Sequence, residues 1–491
     1  MNRSISRLYV VVLVLFALLI VWTSRWTVFS ANALNANPLN RLGYFAELKV
    51  KRGRILAADG TVLARSVPAP GGTFTRTYPL GPLFAQTVGF SDIQQGQETG
   101  LESEYSRALS ARQQTTLNSV FGPISTSNVG DDVDTTLDPR AQTLARSLLA
   151  GRVGAVVAIV PQTGAIPVLY ANPTYNDNNL AHPCAQTQIT DSYTNPGLQN
   201  ECEFNLALQG QYAPGSTFKI VTSTAAINSG LYTPNSLING HSPLLVSGTP
   251  LHNDANQSFG EVTLTEALTL SIDTVYAQVG QAVGATRLED YMRRFGFYSP
   301  PPIDLPAGSV TASGERSPTT GKLIPVSSPQ VDLGRSSIGQ SDLEVSPLQM
   351  AMVVATVANG GTLMKPRLVT RVVNPEGQVV QSFPPQVYHH VMSAKTAAEV
   401  GQMMRSVVLS GTGTAADLPG LDAAGKTGTA SVIKNFHGVE LDEAWFVSFA
   451  PVTNPKIAVA VMLRNVPNGY GGTYAAPIAA QMMKTLLGEG Y

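Results

Sequence analysis

The chain is poor in the residues that bind metals and nucleic acids. It has two cysteines and six histidines among 491 residues, and its net charge is -1 with no long run of basic residues. Neither His-x-x-x-His nor His-Glu-x-x-His spacing occurs, and the two cysteines lack metal-site spacing, so we expect no metal. Because no basic patch is evident, we do not expect nucleic acid as a partner.

Charged residues are also scarce, since they make up 13% of the sequence against 43% hydrophobic residues. A hydrophobic fraction of this size supports a large core, and the length predicts two or three domains. Ser, Thr, Gln and Asn must then cover much of the surface, which suits an extracytoplasmic protein.

An uncharged apolar run occupies residues 8–24, just after two arginines. It is about long enough to cross a hydrocarbon core, and the positive residues before it predict that the N-terminus stays inside and the rest lies outside. The alternative is a cleaved signal peptide, because Ala31-Asn32-Ala33 resembles a cleavage site. We favour the uncleaved anchor, since Arg25 and Trp26 separate that site from the apolar run.

The two cysteines, Cys184 and Cys202, flank a polar segment that contains Asn195-Pro196-Gly197. Outside the membrane, we favour a disulfide that closes this loop over two free thiols.

Composition divides the chain into a cytoplasmic stub with the membrane anchor at 1–26, a non-catalytic module at 27–135 and a larger domain at 136–491. The module is polar and interrupted by Gly and Pro, which predicts short β-rich pieces. Within it, short apolar segments on both sides of Asp59-Gly60 predict a β-hairpin.

The larger domain alternates predicted helices and strands, which indicates an α/β fold. Two apolar runs at 154–160 and 165–170 predict a hairpin in a sheet that is covered on both faces. Helical patterns lie at 137–149, 219–228, 264–276, 347–359 and 477–487, and C-terminal strand patterns lie at 424–432, 444–451 and 457–463.

Ser216 and Lys219 stand at the start of the helical pattern of 219–228, directly after a Pro-Gly pair. On a helix, residues three apart lie on one face, so the serine oxygen and the lysine nitrogen can come within hydrogen-bonding distance. A desolvated neutral lysine can then take the serine proton, which is the arrangement of an activated nucleophile. The same spacing at Ser431 and Lys434 lies in a strand-forming stretch, where the two side chains point to opposite faces, and we attribute it to chance.

Residues 420–427 match Gly-x-x-x-x-Gly-Lys-Thr, the phosphate-binding P-loop pattern. A P-loop needs an apolar strand before it and a helix after it. Here Leu418-Pro419 precedes the match and a strand-forming segment follows it. We therefore favour the alternative, in which Lys426-Thr427-Gly428 lies on an active-site strand.

Three motifs follow one another in the order found in penicillin-binding proteins and serine β-lactamases: Ser-x-x-Lys, a Ser-x-Asn-like element and Lys-Thr-Gly. Here they are Ser216/Lys219, Ser271-Ile272-Asp273 and Lys426-Thr427-Gly428. The chain resembles the class B penicillin-binding proteins over nearly its whole length, and among them the small actinobacterial forms associated with cell division and cell shape. Further family-like phrases are Arg52-Gly53, Arg76-Thr77-Tyr78-Pro79, Gly100-Leu101-Glu102, Ser337-Ile338-Gly339-Gln340 and Pro347-Leu348-Gln349-Met350-Ala351.

The resemblance implies a transpeptidase domain like that of the serine D,D-peptidases and β-lactamases, with an antiparallel sheet flanked by helices. A β-rich dimerisation-type module and a single transmembrane helix would precede it. The implied reaction crosslinks peptidoglycan stem peptides through a serine acyl-enzyme, which β-lactams also form, and no cofactor enters it. The implied partners are stem peptides, β-lactams, the membrane and the division or elongation machinery.

The resemblance also implies a role for each motif residue. Ser216 would attack the substrate carbonyl, Lys219 would be the general base, and Ser271 would relay protons to the leaving amine. The backbone N–H groups of Ser216 and Thr429 would form the oxyanion hole. The substrate would be held by one strand, through Lys426, Thr427, Gly428 and Thr429.

Asp273 departs from the family, which usually has Asn at this position to contact the substrate amide. An ionised carboxylate accepts hydrogen bonds and cannot donate them. Near Lys219 it would favour the ammonium form and weaken the base. Either Asp273 is protonated, or it is turned away, or Lys426 balances its charge.

Other functions remain to be separated from transpeptidation. A receptor or scaffold would keep the fold, do little chemistry and use residues 27–135 to bind division or elongation partners. A carboxypeptidase would differ only in transferring the acyl group to water. A β-lactamase or β-lactam sensor fits less well, because those proteins lack the family-like N-terminal module.

Overall fold

The computed structural model describes residues 3–25, 47–110, 128–181, 184, 202–434 and 440–491. Its first helix, α1 (Arg3–Ser24), is long and apolar enough to cross a membrane, a criterion that a signal sequence also meets. The large hydrophobic side chains from Ile5 to Trp22 are exposed, as expected of a segment that contacts lipid.

Short elements make up the N-terminal module. The strands β1 (Ile55–Leu56) and β2 (Val62–Ala69) pair antiparallel across Asp59-Gly60, which confirms the predicted hairpin. The other elements are β3 (Thr73–Thr77), α2 (Ala85–Val88), β4 (Ser91–Asp92), β5 (Gln97–Glu98), α3 (Gly100–Glu104), α4 (Ser106–Leu109) and β6 (Asp132–Thr135).

A buried ion-pair network holds this module together. Glu102 is fully buried, and its carboxylate lies 3.0 Å from the guanidinium of Arg52 and 2.6 Å from that of Arg76. Removing one partner of such a network leaves an uncompensated buried charge. The three family-like phrases that contain these residues therefore have a structural role.

The larger domain contains more regular elements. Its helices are α5 (Pro139–Leu149), α6 (Leu206–Gln209), α7 (Lys219–Asn228), α8 (Leu264–Thr269), α9 (Asp273–Val283), α10 (Ala285–Arg294), α11 (Leu333–Ser336), α12 (Pro347–Ala358), α13 (Ala394–Ser410), α14 (Gly471–Tyr474) and α15 (Ala476–Gly488). Its strands are β7 (Gly154–Ile159), β8 (Val168–Asn172), β9 (Leu237–Asn239), β10 (Leu244–Val246), β11 (Thr249–Leu251), β12 (Glu261–Thr263), β13 (Gly314–Glu315), β14 (Leu343–Glu344), β15 (Thr362–Met364), β16 (Val369–Val373), β17 (Val379–Ser382), β18 (Val387–His390), β19 (Ala424–Lys434), β20 (Glu440–Ala450) and β21 (Ile457–Pro467).

A five-stranded antiparallel sheet is the centre of this domain, in the order β19-β20-β21-β7-β8. The helix pairs α5 with α15 and α12 with α13 pack on it. Every residue of β7 and β8 is buried, which explains why both strands are apolar except for the final Asn172 and confirms the predicted sheet with two covered faces.

The predicted helix over 264–276 is wrong in its middle. The structure has two helices, α8 and α9, with Leu270, Ser271 and Ile272 between them. Ser271 adopts a left-handed backbone conformation with φ +59°, and Ile272 is extended, so the helix cannot continue through them. The break brings Ser271 and Asp273 into the site described next.

Candidate active site

Ser216 lies in a single 3-10 turn, Gly215–Phe218, that leads directly into α7. Gly215 has φ +51°, and its N–H donates a hydrogen bond of 2.9 Å to the carbonyl of Gly339. A Cβ atom at Gly215 would lie 2.6 Å from the backbone oxygen of Thr429. Glycine at this position therefore lets the nucleophile turn touch strand β19.

Lys219 is fully buried at the first position of α7. Its Nζ atom donates to the carbonyl of Ser271 at 2.8 Å, to Ser271 Oγ at 3.2 Å and to Asp273 Oδ1 at 2.7 Å. These contacts use all three donors of an ammonium group. Across the residues that the structure describes, no hydrogen bond joins Lys219 Nζ to Ser216 Oγ, although their spacing allows one.

The break between α8 and α9 positions the second motif. Ser271 presents both its carbonyl and its hydroxyl to Lys219, while Asp273 is the first residue of α9. Asp273 therefore faces Lys219, which removes the alternative that it is turned away from the lysine.

Lys426 approaches the same serine from strand β19. Its side chain is fully buried, and Nζ lies 3.0 Å from Ser271 Oγ, 3.1 Å from the carbonyl of Thr427 and 3.3 Å from Thr427 Oγ1. Ser271 Oγ is thus held between two lysine nitrogens. This bridge is suited to moving a proton from one side of the site to the other.

The charge balance of the site follows from its burial. Burial lowers the pKa of Lys219, while the charge and hydrogen bond of Asp273 raise it. The pKa of Lys426 is lowered well below its ordinary value by burial and by the charge of Lys219. Both lysines therefore lose a proton more readily than a lysine in water.

The Gly-x-x-x-x-Gly-Lys-Thr match does not form a P-loop. Its last four residues lie in β19, which continues to Lys434 as a strand where a P-loop would begin a helix. Ser431 and Lys434 lie in the same strand, as the sequence predicts for a chance copy of Ser-x-x-Lys.

Two further residues border the site without having been singled out from the sequence. The Thr412 hydroxyl is 2.6 Å from Thr427 Oγ1, and the Tyr276 ring lies 5.4 Å from Lys219 Nζ. Tyr276 lies three residues after Asp273 on one helix, so helical spacing could have indicated it. Thr412 lies in a Gly-Thr-Gly stretch after α13. Only its contact with β19 identifies it as a residue of the site.

Among the predicted site residues, five thus lie in one hydrogen-bonded cluster: Lys219, Ser271, Asp273, Lys426 and Thr427. Ser216 lies in the turn that leads directly into the helix of Lys219. Thr429 Oγ1 accepts a hydrogen bond of 3.4 Å from the N–H of Gly471, and Gly428 packs against the carbonyl of Pro214. Cys184 and Cys202 form a disulfide with their Cα atoms 5.7 Å apart.

Two family models match the sequence. The model of the penicillin binding protein transpeptidase domain matches residues 154–484, and that of the penicillin binding protein A dimerisation domain matches residues 52–129. The predicted boundary at residue 135 falls between the two matches and stays a prediction.

Curated relatives match the chain from end to end. It is 32% identical to the peptidoglycan D,D-transpeptidase PbpA of Mycolicibacterium smegmatis, with 100% of both chains covered. The protein of the same name from Mycobacterium tuberculosis is also 32% identical, with 99% of both chains covered.

Solved structures share the fold. The D,D-transpeptidase domain of a peptidoglycan glycosyltransferase from Eggerthella lenta has a TM-score of 0.75 at 32% identity, covering 90% of this chain and 99% of that one. Penicillin-binding protein A of M. tuberculosis, solved as a penicillin G acyl-enzyme complex, has a TM-score of 0.75 at 30% identity, covering 89% and 100%. The predicted fold class and the predicted resemblance are confirmed.

Proposed function

Because the chain belongs to the class B penicillin-binding proteins, we propose that it is a peptidoglycan D,D-transpeptidase that works through a serine acyl-enzyme in cell-wall synthesis. The observation that carries this proposal is the convergence of two buried lysines on Ser271 Oγ beside the turn that bears Ser216. Two buried lysine side chains cost more desolvation free energy than apolar residues in the same place, so this cluster indicates chemistry and not a stabilising role.

Acylation begins when Ser216 Oγ attacks the carbonyl of the penultimate D-Ala of a stem peptide. The bond to the terminal D-Ala then breaks, and this residue leaves with a proton on its nitrogen. Lys219 takes the proton of Ser216, which requires the neutral amine because the ammonium form has no lone pair. The burial that lowers the pKa of Lys219 favours this neutral form.

Ser271 and Lys426 complete the proton path. Ser271 Oγ lies within hydrogen-bonding distance of both lysine nitrogens, so it passes the proton toward the leaving amine. Lys426 makes the local field positive and, with Thr427 and Thr429, holds the carboxylate of the substrate. The N–H groups of Ser216 and Thr429 stabilise the oxyanion, which is typically worth about 3 kcal/mol for each donor.

Deacylation decides the product. An amino group of a second stem peptide attacks the acyl-enzyme and forms the crosslink, whereas water would release a shortened stem as a carboxypeptidase does. β-Lactams acylate the same serine and block both outcomes.

The location and partners extend this proposal. The helix α1 anchors the chain with the catalytic domain outside the cytoplasm, where its substrate lies. The N-terminal module docks components of the division or elongation machinery, and the enzyme serves division and the maintenance of cell shape.

A turnover assay tests the function. Purified protein is incubated with a stem peptide that ends in D-Ala-D-Ala and with an amine acceptor, and free D-Ala and the crosslinked peptide are quantified. We expect both products from the wild type and neither from Ser216→Ala. A wild type that forms neither product would favour the receptor or scaffold alternative, and D-Ala without the crosslink would favour a carboxypeptidase.

A further inference from the structure

Glu315 is a fully buried acid outside the motif residues. It lies in β13, and Ser336, the last residue of α11, donates its hydroxyl hydrogen to Glu315 Oε1. The second oxygen, Oε2, is also buried, and no hydrogen-bond partner for it occurs in the described part of the chain. A carboxyl group left half-satisfied in a core costs free energy, so an apolar residue would be more stable at this position.

Three consecutive hydrogen bonds connect Glu315 to the nucleophile turn. In the first, the Ser336 hydroxyl donates to the Glu315 carboxylate. In the second, the carbonyl of Ser336 accepts the N–H of Gly339 at 2.9 Å. The carbonyl of Gly339 in turn accepts the N–H of Gly215, also at 2.9 Å, one residue before Ser216. The contact is close, since a Cβ atom at Gly339 would lie 2.0 Å from the carbonyl oxygen of Gly215.

The same segment, residues 336–339, also contacts the helix that bears Lys219. Thr222 Oγ1 of α7 donates a hydrogen bond of 2.7 Å to the carbonyl of Ser337. The segment therefore fixes both the turn with the nucleophile and the helix with the base. A shift of about 1 Å in such a support can lower a reaction rate by about 100-fold.

We propose that Glu315 is a positioning residue for the acylation of Ser216, which acts through Ser336 by holding residues 336–339 against the nucleophile turn. This inference rests on the proposed function of Ser216. It assigns to Glu315 no contact with the substrate.

The ionisation of Glu315 gives this role a measurable signature. Burial raises the pKa of Glu315 to about 7, the hydrogen bond from Ser336 opposes this rise, and the charge of Asp342 adds to it. Tyr298 is a titratable neighbour: its hydroxyl oxygen accepts the backbone N–H of Glu315 at 3.5 Å, and burial and then the charge of Glu315 raise the pKa of Tyr298. Above neutral pH the ionised carboxylate accepts a stronger hydrogen bond from Ser336 and holds the segment more firmly.

The test measures the rate constant of the acylation step and the binding constant for a penicillin between about pH 5.5 and 9. We expect Glu315→Ala and Ser336→Ala each to slow the acylation step roughly tenfold without changing the binding constant. The double variant should be no slower than either single variant, because both act through one connection. Glu315→Gln keeps an acceptor for Ser336 but cannot ionise, so it should match the wild type below about pH 6 and be roughly threefold slower above about pH 8.

Asp177→Asn is the matched control. Asp177 is another buried carboxyl whose pKa burial raises, to about 8, but it lies beside Gly81 of the N-terminal module. Its substitution should leave the acylation step unchanged, and a loss equal to that of Ser336→Ala would contradict a specific role for Glu315.

Three other results would overturn the inference. These are a wild-type acylation rate in Ser336→Ala, losses in the two single variants that multiply in the double variant, and a pH profile of Glu315→Gln identical to that of the wild type. If Glu315→Ala does not fold, Ser336→Ala and Glu315→Gln still test whether Glu315 positions the nucleophile turn. A wild type that penicillin does not acylate would instead refute the proposed function.

Discussion

The protonation state of Lys219 decides whether Ser216 can be activated. The ammonium form donates its three hydrogens to Ser271 and Asp273, and its nitrogen has no lone pair to accept the proton of Ser216. Two influences on its pKa oppose each other: burial lowers the pKa, and Asp273 raises it. An Asn at position 273 would remove the second influence while leaving an oxygen to accept the hydrogen bond.

Asp273→Asn should therefore shift the acylation of Ser216 toward lower pH. Without the carboxylate, the pKa of Lys219 falls further below its ordinary value, and the neutral amine forms at a lower pH. The second-order rate constant for a penicillin, measured across pH, should reach a larger share of its maximum at about pH 6 in the variant than in the wild type.

The exposed pair Asp290 and Arg294 offers a control for this variant. Asp290→Asn removes a carboxylate from a helix surface, and its acylation profile should coincide with that of the wild type. If Asp273→Asn also gave the wild-type profile, the charge of Asp273 would not affect the pKa of Lys219 in the acylation step.

At the scale of elements, the site depends on the close approach of the nucleophile turn to β19. Gly215 is the contact point, with its φ of +51° and its missing Cβ. Gly230, after α7, has a similar φ of +75°, but a Cβ there would meet nothing within 4 Å. A substitution at Gly230 therefore tests backbone strain alone, whereas one at Gly215 tests backbone strain together with the close approach to β19.

Gly230→Ala should cost about 1 kcal/mol of unfolding free energy and leave acylation unchanged, because only its backbone is strained. Gly215→Ala should cost more, and its acylation rate should fall on the order of 100-fold, because the turn must move away from Thr429. Urea unfolding and penicillin acylation measure the two effects. Equal acylation rates in both variants would mean that the contact with β19 does not position Ser216.

Local sequence signals predicted much of the element structure. The helix α5 was predicted from its periodicity with Pro139 in the first turn, and Asp138 caps it by accepting two backbone N–H groups. The break at Ser271 was not predicted, because a left-handed serine has no sequence signal and its partners, Lys219 and Lys426, are distant in the chain.

The candidate site also contains residues that sequence patterns predict and residues that only contacts in the structure reveal. The motif residues were identified from their order and spacing, whereas Thr412 and Glu315 became visible only through contacts. Both contacts join segments that are separate in the sequence, so no local pattern could indicate them.

At the scale of the whole molecule, one sheet joins the N-terminal module to the transpeptidase domain. Its order is β17-β16-β6-β1-β2-β3, so strands from both sides of the predicted boundary share hydrogen bonds. An ion pair of 2.6 Å between Arg371 and Asp134 adds to this junction. Sequence patterns predict strands but not their distant partners, so no local pattern indicates this shared sheet.

The N-terminal helix makes a separate prediction for the whole chain. If α1 is an uncleaved anchor, the mature protein in the membrane fraction should retain residues 1–33, and deleting residues 1–26 should release it into the soluble fraction. The intact mass and the N-terminal peptide of the purified protein measure this directly. A mature chain that starts just after Ala33 would show that the segment is a cleaved signal peptide.

The most direct test of a serine acyl-enzyme is to locate the bond that a β-lactam forms. The protein is treated with penicillin G, its intact mass is measured, and the modified residue is identified by peptide mapping. We expect one penicilloyl group per chain, attached to Ser216, and no adduct in a folded Ser216→Ala variant. The absence of an adduct in the wild type, or its attachment to another residue, would show that Ser216 is not the acylated nucleophile.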